Sequence, residues 1–337
     1  MTIQDDIDAA RLPHLGILRF QGPDAIAFLQ GQVSNDTAPL GEGSPVLAAY
    51  SSAQGRVLAI MHLLPHSTGV LAVLPRELAA ATQERLRKFV LRAKVKIEDL
   101  SGQWSVAGLE ARALVAAGID TSESTGDLER TGYLEQDGIG IGRVRPRLLS
   151  PAPGPEERYW LVGPAESSAA VDIARAGPDG GARTDAERSD VERSDVERSW
   201  RLADIRDGLP QVYAATSESF VAQMLNLDLI GGISFSKGCY TGQEIIARTQ
   251  HRGRIKRRMS RLRLARGSWA IGQALKLADG RSGRLTEIAP AGEGFEALAV
   301  LSLDATVAAD ADSGPGVGET VSAEELALPY PRGEPAA

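Results

Sequence analysis

A chain of 337 residues, 43% hydrophobic and 24% charged, is long enough for more than one core, and two or three domains are expected. Its one cysteine excludes an intramolecular disulfide and fits a reducing compartment. The start, MTIQDDIDAARLPHLGILRF, has no basic-then-apolar leader, and nowhere do about 18 apolar residues run together, so a cytoplasmic protein with no membrane attachment is expected.

LGILRFQGPDAIAFLQGQVSND predicts a strand, a turn and a helix. Leu15, Ile17 and Phe20 are the apolar strand positions, Pro23 suits the first helical turn, and Gly31 suits the stop. Ala25, Ile26, Phe28 and Leu29 give that helix its apolar face. VLAAYSSAQGRVLAIMHLLP predicts two strands joined at a turn around Ser51–Gly55. STGVLAVLP adds a strand, RELAAATQERLRKFVLRA an amphipathic helix, and KVKIEDL and WSVAGL return to strand character. Strands grouped as hairpins between helices point to α+β rather than to a parallel sheet.

After RYWLVGP the texture changes. DAERSDVERSDVERSW repeats every five residues, marked by Asp185, Asp190 and Asp195. That period lays no continuous apolar stripe on a helix and no alternation on a strand, so a mobile, removable, solvated insertion is expected over 175–199. WRLADIRDGLP predicts a short helix ending at Gly208 and Pro210. Beyond Arg258, RRMSRLRLARG, ALKLADG, SGRLTEIAP and ALAVLSL are short alternating segments between turns, the pattern of a small closed barrel. VSAEELALPYPRGEPAA supplies one last strand or coil.

Chemistry concentrates in KGCYTGQEIIARTQHRGRIKRR. Residues 237–266 hold ten cations against Glu244 alone, so with a total of −7 the rest of the chain carries −16. Such asymmetry points either to an anionic partner or to a solvated face. Thr241 and Glu244 have the spacing of a capping box, with Thr241 as N-cap of a helix over GQEIIARTQH and with Ile245, Ile246 and Thr249 facing inward. Cys239 then lies two residues before the cap, near the positive end of the helix, with Lys237 two residues away and Gly238 and Gly242 permitting close approach of a ligand. These features favour a thiolate, acting as nucleophile or soft ligand; the alternative is an inert small core residue. His14, His62, His66 and His251 are scattered, and a single thiol cannot close a zinc or iron–sulfur site, so any cluster held here is transient or shared. Phosphate-loop and dinucleotide-binding motifs are missing, leaving nucleotide hydrolysis and dinucleotide redox chemistry without support.

GGISFSKGCYTGQEIIAR resembles the signature of the YgfZ family, K-G-C-[FY]-x-G-Q-E, which is matched in full from Lys237 to Glu244 and extends upstream through NLDLIGGISF. FLQGQVSND and the LPY at 328–330 also fit, and the resemblance covers most of the chain outside the pentapeptide repeat. It implies the fold of the glycine-cleavage T-protein, a tetrahydrofolate-dependent aminomethyltransferase. That is an α+β fold with two intertwined α+β subdomains over 1–257, a C-terminal β-barrel over 258–330, and a central folate-sized channel. It further implies a folate-binding accessory protein that supports assembly or repair of iron–sulfur enzymes, among them a radical enzyme that thiomethylates tRNA. Tetrahydrofolate or a derivative is the implied cofactor, Cys239 the implied reactive thiol with Lys237 beside it. Tyr240, Gly242, Gln243, Glu244, Arg248, Arg252 and Asp207 are the implied folate-binding residues.

Two departures from the T-protein matter. In QGRVLAI, Leu58 and Ala59 stand where the T-protein carries a catalytic acid, and an aliphatic group cannot take a proton, which argues against aminomethyl transfer. In DIRDGLP, Arg206 stands where the T-protein has a glutamate that accepts bonds from the pteridine; a guanidinium can only donate, and Asp207 is the nearest substitute. Competing readings are a folate-dependent one-carbon transferase and a tRNA-binding protein. For the basic run, the glutamate tail of a folate is preferred over tRNA, because HRGRIKRR has no interleaved aromatics for base stacking.

Overall fold

Apolar runs without alternation, such as VLAIMHLL and GVLAVLP, can be strands only if both of their faces are covered. The computed structural model, which describes residues 9–110, 133–136, 138–144, 157–165, 190–251, 255–304 and 320–331, bears this out. β3 (Val46–Ser51), β4 (Val57–His66) and β5 (Gly69–Pro75) are buried almost end to end. With β2 (Leu15–Gln21) and β6 (Lys96–Asp99) they form a five-stranded sheet in the order β3-β4-β5-β2-β6. A second five-stranded sheet, order β1-β7-β10-β9-β8, is built from β1 (Ala9–Arg11), β7 (Trp104–Glu110), β10 (Arg158–Pro164), β9 (Ile139–Arg143) and β8 (Tyr133–Gln136).

The chain divides into two compact units. One comprises residues up to Gln30, Asp36–Leu47 and Met61–Trp200; the other comprises Gly31–Asn35, Ala48–Ile60 and everything from Arg201 onward. Within the first, β10 and β9 of one sheet pack against the Met61–His66 part of β4. His62 of β4 meets the Trp160 ring edge-on at 4.4 Å, and a Cβ on Gly142 of β9 would lie 2.8 Å from Leu64. Two helices flank this core. α1 (Ala25–Gln30) buries Ala25, Phe28 and Leu29, and α2 (Arg76–Arg87) buries Leu78, Ala79, Thr82 and Leu86. The second helix ends at Arg87, short of the RKFVLRA run expected to continue it.

α3 (Asp190–Arg206) corrects the expectation for the repeat. Residues 175–189 lie outside the described residues, but 190–199 are helical rather than a loop. The physical reason is that an amphipathic segment downstream, with Trp200, Leu202 and Ile205 buried, pays the nucleation cost. Extension back through DVERSDVERS, where Glu and Arg are good helix formers and Asp, Val and Ser each cost at most about 0.7 kcal/mol, then follows, and a five-residue period does not prevent it. Trp200 is fully buried against β7, where a Cβ on Gly108 would collide with the indole, and the Arg158 guanidinium stacks 4.7 Å above the ring.

In the second unit the alternating segments become β11 (Arg257–Leu264), β12 (Ala274–Leu277), β13 (Ser282–Ala291), β14 (Gly294–Ser302), β15 (Thr320–Val321) and β16 (Ala323–Leu326). They form one sheet in the order β15-β12-β13-β14-β11-β16. Its outermost strands, β15 and β16, are separated in the chain by Ser322 alone, so the sheet nearly closes into a barrel. Leu262, Leu264, Leu275, Leu277, Leu285, Ala297, Ala299 and Leu301 fill its core.

Candidate functional site around Cys239

The signature segment is seated on a turn. Between β3 and β4 the chain reverses with Ser52 N–H donating to Arg56 O and Gly55 N–H to Ser52 O. Gly55 (φ 69°) and Gly242 (φ 81°) both need the left-handed region that glycine tolerates. A Cβ on Gly242 would lie 2.5 Å from Ser52 O, and one on Gly55 would lie 2.8 Å from the Ile245 Cβ. Backbone therefore touches backbone where the turn meets the start of α4 (Gln243–His251). This helix begins one residue later than the capping-box spacing suggests, because left-handed Gly242 occupies the preceding position. Glu244 thus moves to the second helical position with its side chain exposed, and Thr241 is displaced from the cap.

Upstream of the helix, the loop carrying Cys239 is fastened to residues 33–35. Ser34 Oγ donates to Gly232 O at 2.7 Å and accepts from Ala49 N–H; Asn35 Nδ2 donates to Gly231 O. Lys237, 9% exposed, donates to the carbonyls of Val33 and Asn35, both at 2.8 Å, with its ammonium 4.9 Å from the centre of the Tyr240 ring. Burial pushes the Tyr240 phenol up to about 12. Cys239 itself is exposed between exposed Gly238 and buried Tyr240, and Phe235 is exposed on the same loop. The arrangement presents a thiol at the surface of a loop whose flanks are rigidly bonded.

The remaining sequence-predicted residues fall in different places. Gln243 is half-buried and Arg248 exposed on α4, while Arg252 lies outside the described residues. Asp207 is buried at the C-terminal end of α3, where its N–H bonds Ala203 O. Arg206 reaches the other way, to Glu296 at 3.2 Å. Leu58 and Ala59 are buried in β4, with Ser217 Oγ donating to Leu58 O.

A polar layer under the site escaped the sequence reading. Gln223 Nε2 donates to Ile246 O at 2.7 Å, Arg258 forks onto Asp228 at 2.7 and 2.8 Å, and Asn226, in the left-handed region at φ 59°, bonds Met259 O. Tyr330 of the LPY segment donates to Gly208 O. Asn226 and Asp228 sit in NLDLIGGISF, so polar residues inside an apolar run were the available signal. Among the described residues, Gln32 Oε1, Ser51 Oγ, Ser52 Oγ and Gln223 Oε1 are buried with no hydrogen-bond partner. Gln32 and Ser51 stand one position along from the Val33–Tyr50 bridge.

Three arginines of the basic run are neutralised by acids distant in sequence. Arg258 pairs with Asp228, Arg261 with Glu296, and Arg263 with Glu324. Burial opposes ionisation of Glu296, yet the bonds from Arg261 and Arg206 outweigh it and hold its pKa below the ordinary carboxylate value. A cavity of about 730 Å³ at the rim of the six-stranded sheet is lined by Arg206, Arg263 and Arg266 against Glu293, Glu296 and Glu324, so its charges balance. Among the described residues no three His, Cys, Asp or Glu side chains converge as a metal site, and no helix is long and apolar enough to cross a membrane.

Comparison with known proteins follows the same lines. The solved aminomethyltransferase T of the glycine cleavage system from Bartonella henselae superposes with a TM-score of 0.56 over 88% of this chain and 78% of its own, at 14% identity. It shows the fold: mixed α+β with a barrel-like C-terminal sheet. No family model matches the chain. Proteins described as tRNA-modifying protein YgfZ do match it. The one from Edwardsiella ictaluri is 32% identical over 73% of this chain and 68% of its own length. That from Enterobacter sp. is 31% identical over 74% and 72%, and that from Hamiltonella defensa 27% over 78% and 70%. At that identity and coverage, with the signature loop built as described, the chain belongs to the YgfZ family.

Proposed function

We propose that this chain is a cytoplasmic folate-binding accessory protein that supports assembly or repair of iron–sulfur enzymes acting on tRNA, with Cys239 as its reactive thiol. The observation that carries the reading is the exposure of Cys239 on a loop held by Ser34, Asn35 and Lys237. A packing cysteine has no need of exposure, whereas a thiol that engages iron, sulfide or a partner's cluster does. The tRNA-modifying description of the relatives supports the class of client, and the aminomethyltransferase fold supports tetrahydrofolate or a derivative as ligand. Fit to a pterin is favoured by the unpartnered buried oxygens of Gln32, Ser51, Ser52 and Gln223, which are acceptors for its amine and ring N–H groups. With Arg206 committed to Glu296, buried Asp207 is the residue left to play the acidic part at the end of α3.

The test is the activity of an iron–sulfur tRNA-methylthiolating enzyme in cells lacking this protein, with wild type or Cys239→Ala returned at matched levels. Rescue by wild type and not by Cys239→Ala supports the reading. Equal rescue by both removes the thiol from it.

A further inference from the structure

On the first unit, Phe89 and Leu91 are 48% and 86% exposed on the loop that follows α2. They are not at a frayed end. Phe89 N–H donates to Leu86 O, Val90 N–H to Arg87 O and Leu91 N–H to Phe89 O. Further on, Lys94 N–H donates to the Asp24 carboxylate at 2.6 Å, and Gly22 approaches Lys94 so closely that a Cβ there would collide with its carbonyl. The loop is therefore a built structure that holds a phenyl ring and an isobutyl group in water. Around them, residues 85–96 carry Arg85, Arg87, Lys88, Arg92, Lys94 and Lys96 and no acid. Arg92 and Lys94 are exposed, and the exposed ammonium groups of Lys88 and Lys96 reach only Glu84 and Glu98 at the margins.

We infer that this loop is an RNA-docking surface that takes the phosphodiester backbone and one unstacked base of a structured RNA. The inference rests on the reading that the protein serves tRNA modification. Six cations in twelve residues, with Arg92 and Lys94 exposed beside the ring, supply the electrostatic attraction to phosphates, and exposed Phe89 among them supplies a stacking platform. The rest of the chain carries −13, so a broad anionic surface such as a membrane would face repulsion beyond this loop, whereas a polynucleotide can engage it locally. In the basic run beyond Arg248, by contrast, Arg258, Arg261 and Arg263 are paired with acids and no Phe, Tyr or Trp stands among the cations.

The experiment measures binding of the full-length protein to a tRNA transcript across a salt series. It uses wild type, Phe89→Ala and the double variant Arg92→Glu/Lys94→Glu, with matched thermal unfolding as a fold check and phosphatidylserine vesicles as a second arm. Phe89→Ala should weaken RNA binding about tenfold with the salt dependence unchanged. The double variant should weaken it at least as much and make the slope of log K against log salt shallower by about 2. Wild-type affinity in both variants, absence of RNA binding, or binding to vesicles alone overturns the inference. None of those results touches the Cys239 rescue. Loss of RNA binding in the loop variants alongside full rescue by Cys239→Ala would sink the thiol reading and leave this surface standing.

Discussion

At the scale of single residues, Lys237 shows how a charged group can be both conspicuous in sequence and structural in place. Its ammonium spends two bonds on the carbonyls of Val33 and Asn35, thereby tying the thiol loop to another segment. Replacing it by methionine keeps the length of the side chain and strands both carbonyls. Lys237→Met should therefore lower the unfolding free energy by about 1–3 kcal/mol, measured by urea titration. Unchanged stability would mean that the lysine is held there for chemistry instead. The thiol two residues on is different: exposed, it has little packing to lose, and Cys239→Ala should leave the same titration unmoved.

At the scale of elements, α3 is organised by Trp200. The indole is wholly buried on a glycine that leaves room for it and under a guanidinium. Trp200→Ala should cost about 3–5 kcal/mol and should also strip helicity from the repeat, which has no apolar face of its own; urea unfolding and far-ultraviolet circular dichroism check the two effects. The strands were legible because alternation and unbroken apolar runs report burial directly, as in RRMSRLRL for β11 and GVLAVLP for β5. The start of α4 was displaced by one residue because capping-box spacing ignores the left-handed backbone at Gly242. The meaning of the basic run was not legible at all. The acids that Arg258, Arg261 and Arg263 meet, Asp228, Glu296 and Glu324, lie 30, 35 and 61 residues away, and the register of β11 with β14 and β16 sets Glu296 and Glu324 across from Arg263, with Glu296 in diagonal reach of Arg261. Conversely, Phe89 and Leu91 read as part of an amphipathic helix and stand in solvent because α2 stops at Arg87.

At the scale of the whole molecule, pH acts through His62. Packed against Trp160 of β10 in the first unit, its imidazole is pushed down to about 3 by burial, whereas in the unfolded chain it titrates near 6.5. Between those values the unfolded chain binds a proton that the native state refuses. The stabilisation is therefore complete above about pH 6.5 and is lost as pH falls toward 3, at up to about 1.4 kcal/mol per pH unit. Urea unfolding at pH 7.5 and 5.0 should show the decline, and His62→Leu should flatten it; an equal decline in that variant would assign the effect to carboxylates.

The interleaving of the two units also has a consequence for biogenesis. The chain passes from one to the other after Gln30, Asn35, Leu47, Ile60 and Trp200. Residues 48–60, Val57 and Ile60 among them with no exposure in the finished protein, leave the ribosome about 140 residues before the rest of their unit begins at Arg201. At about 5–20 residues per second they wait roughly 7–28 s for the part of their unit that begins at Arg201. Neither unit corresponds to a continuous stretch of gene, so no single cut in the coding sequence releases one intact. During synthesis residues 48–60 therefore wait for partners such as Phe220, whose carbonyl accepts the Val57 N–H in the finished protein.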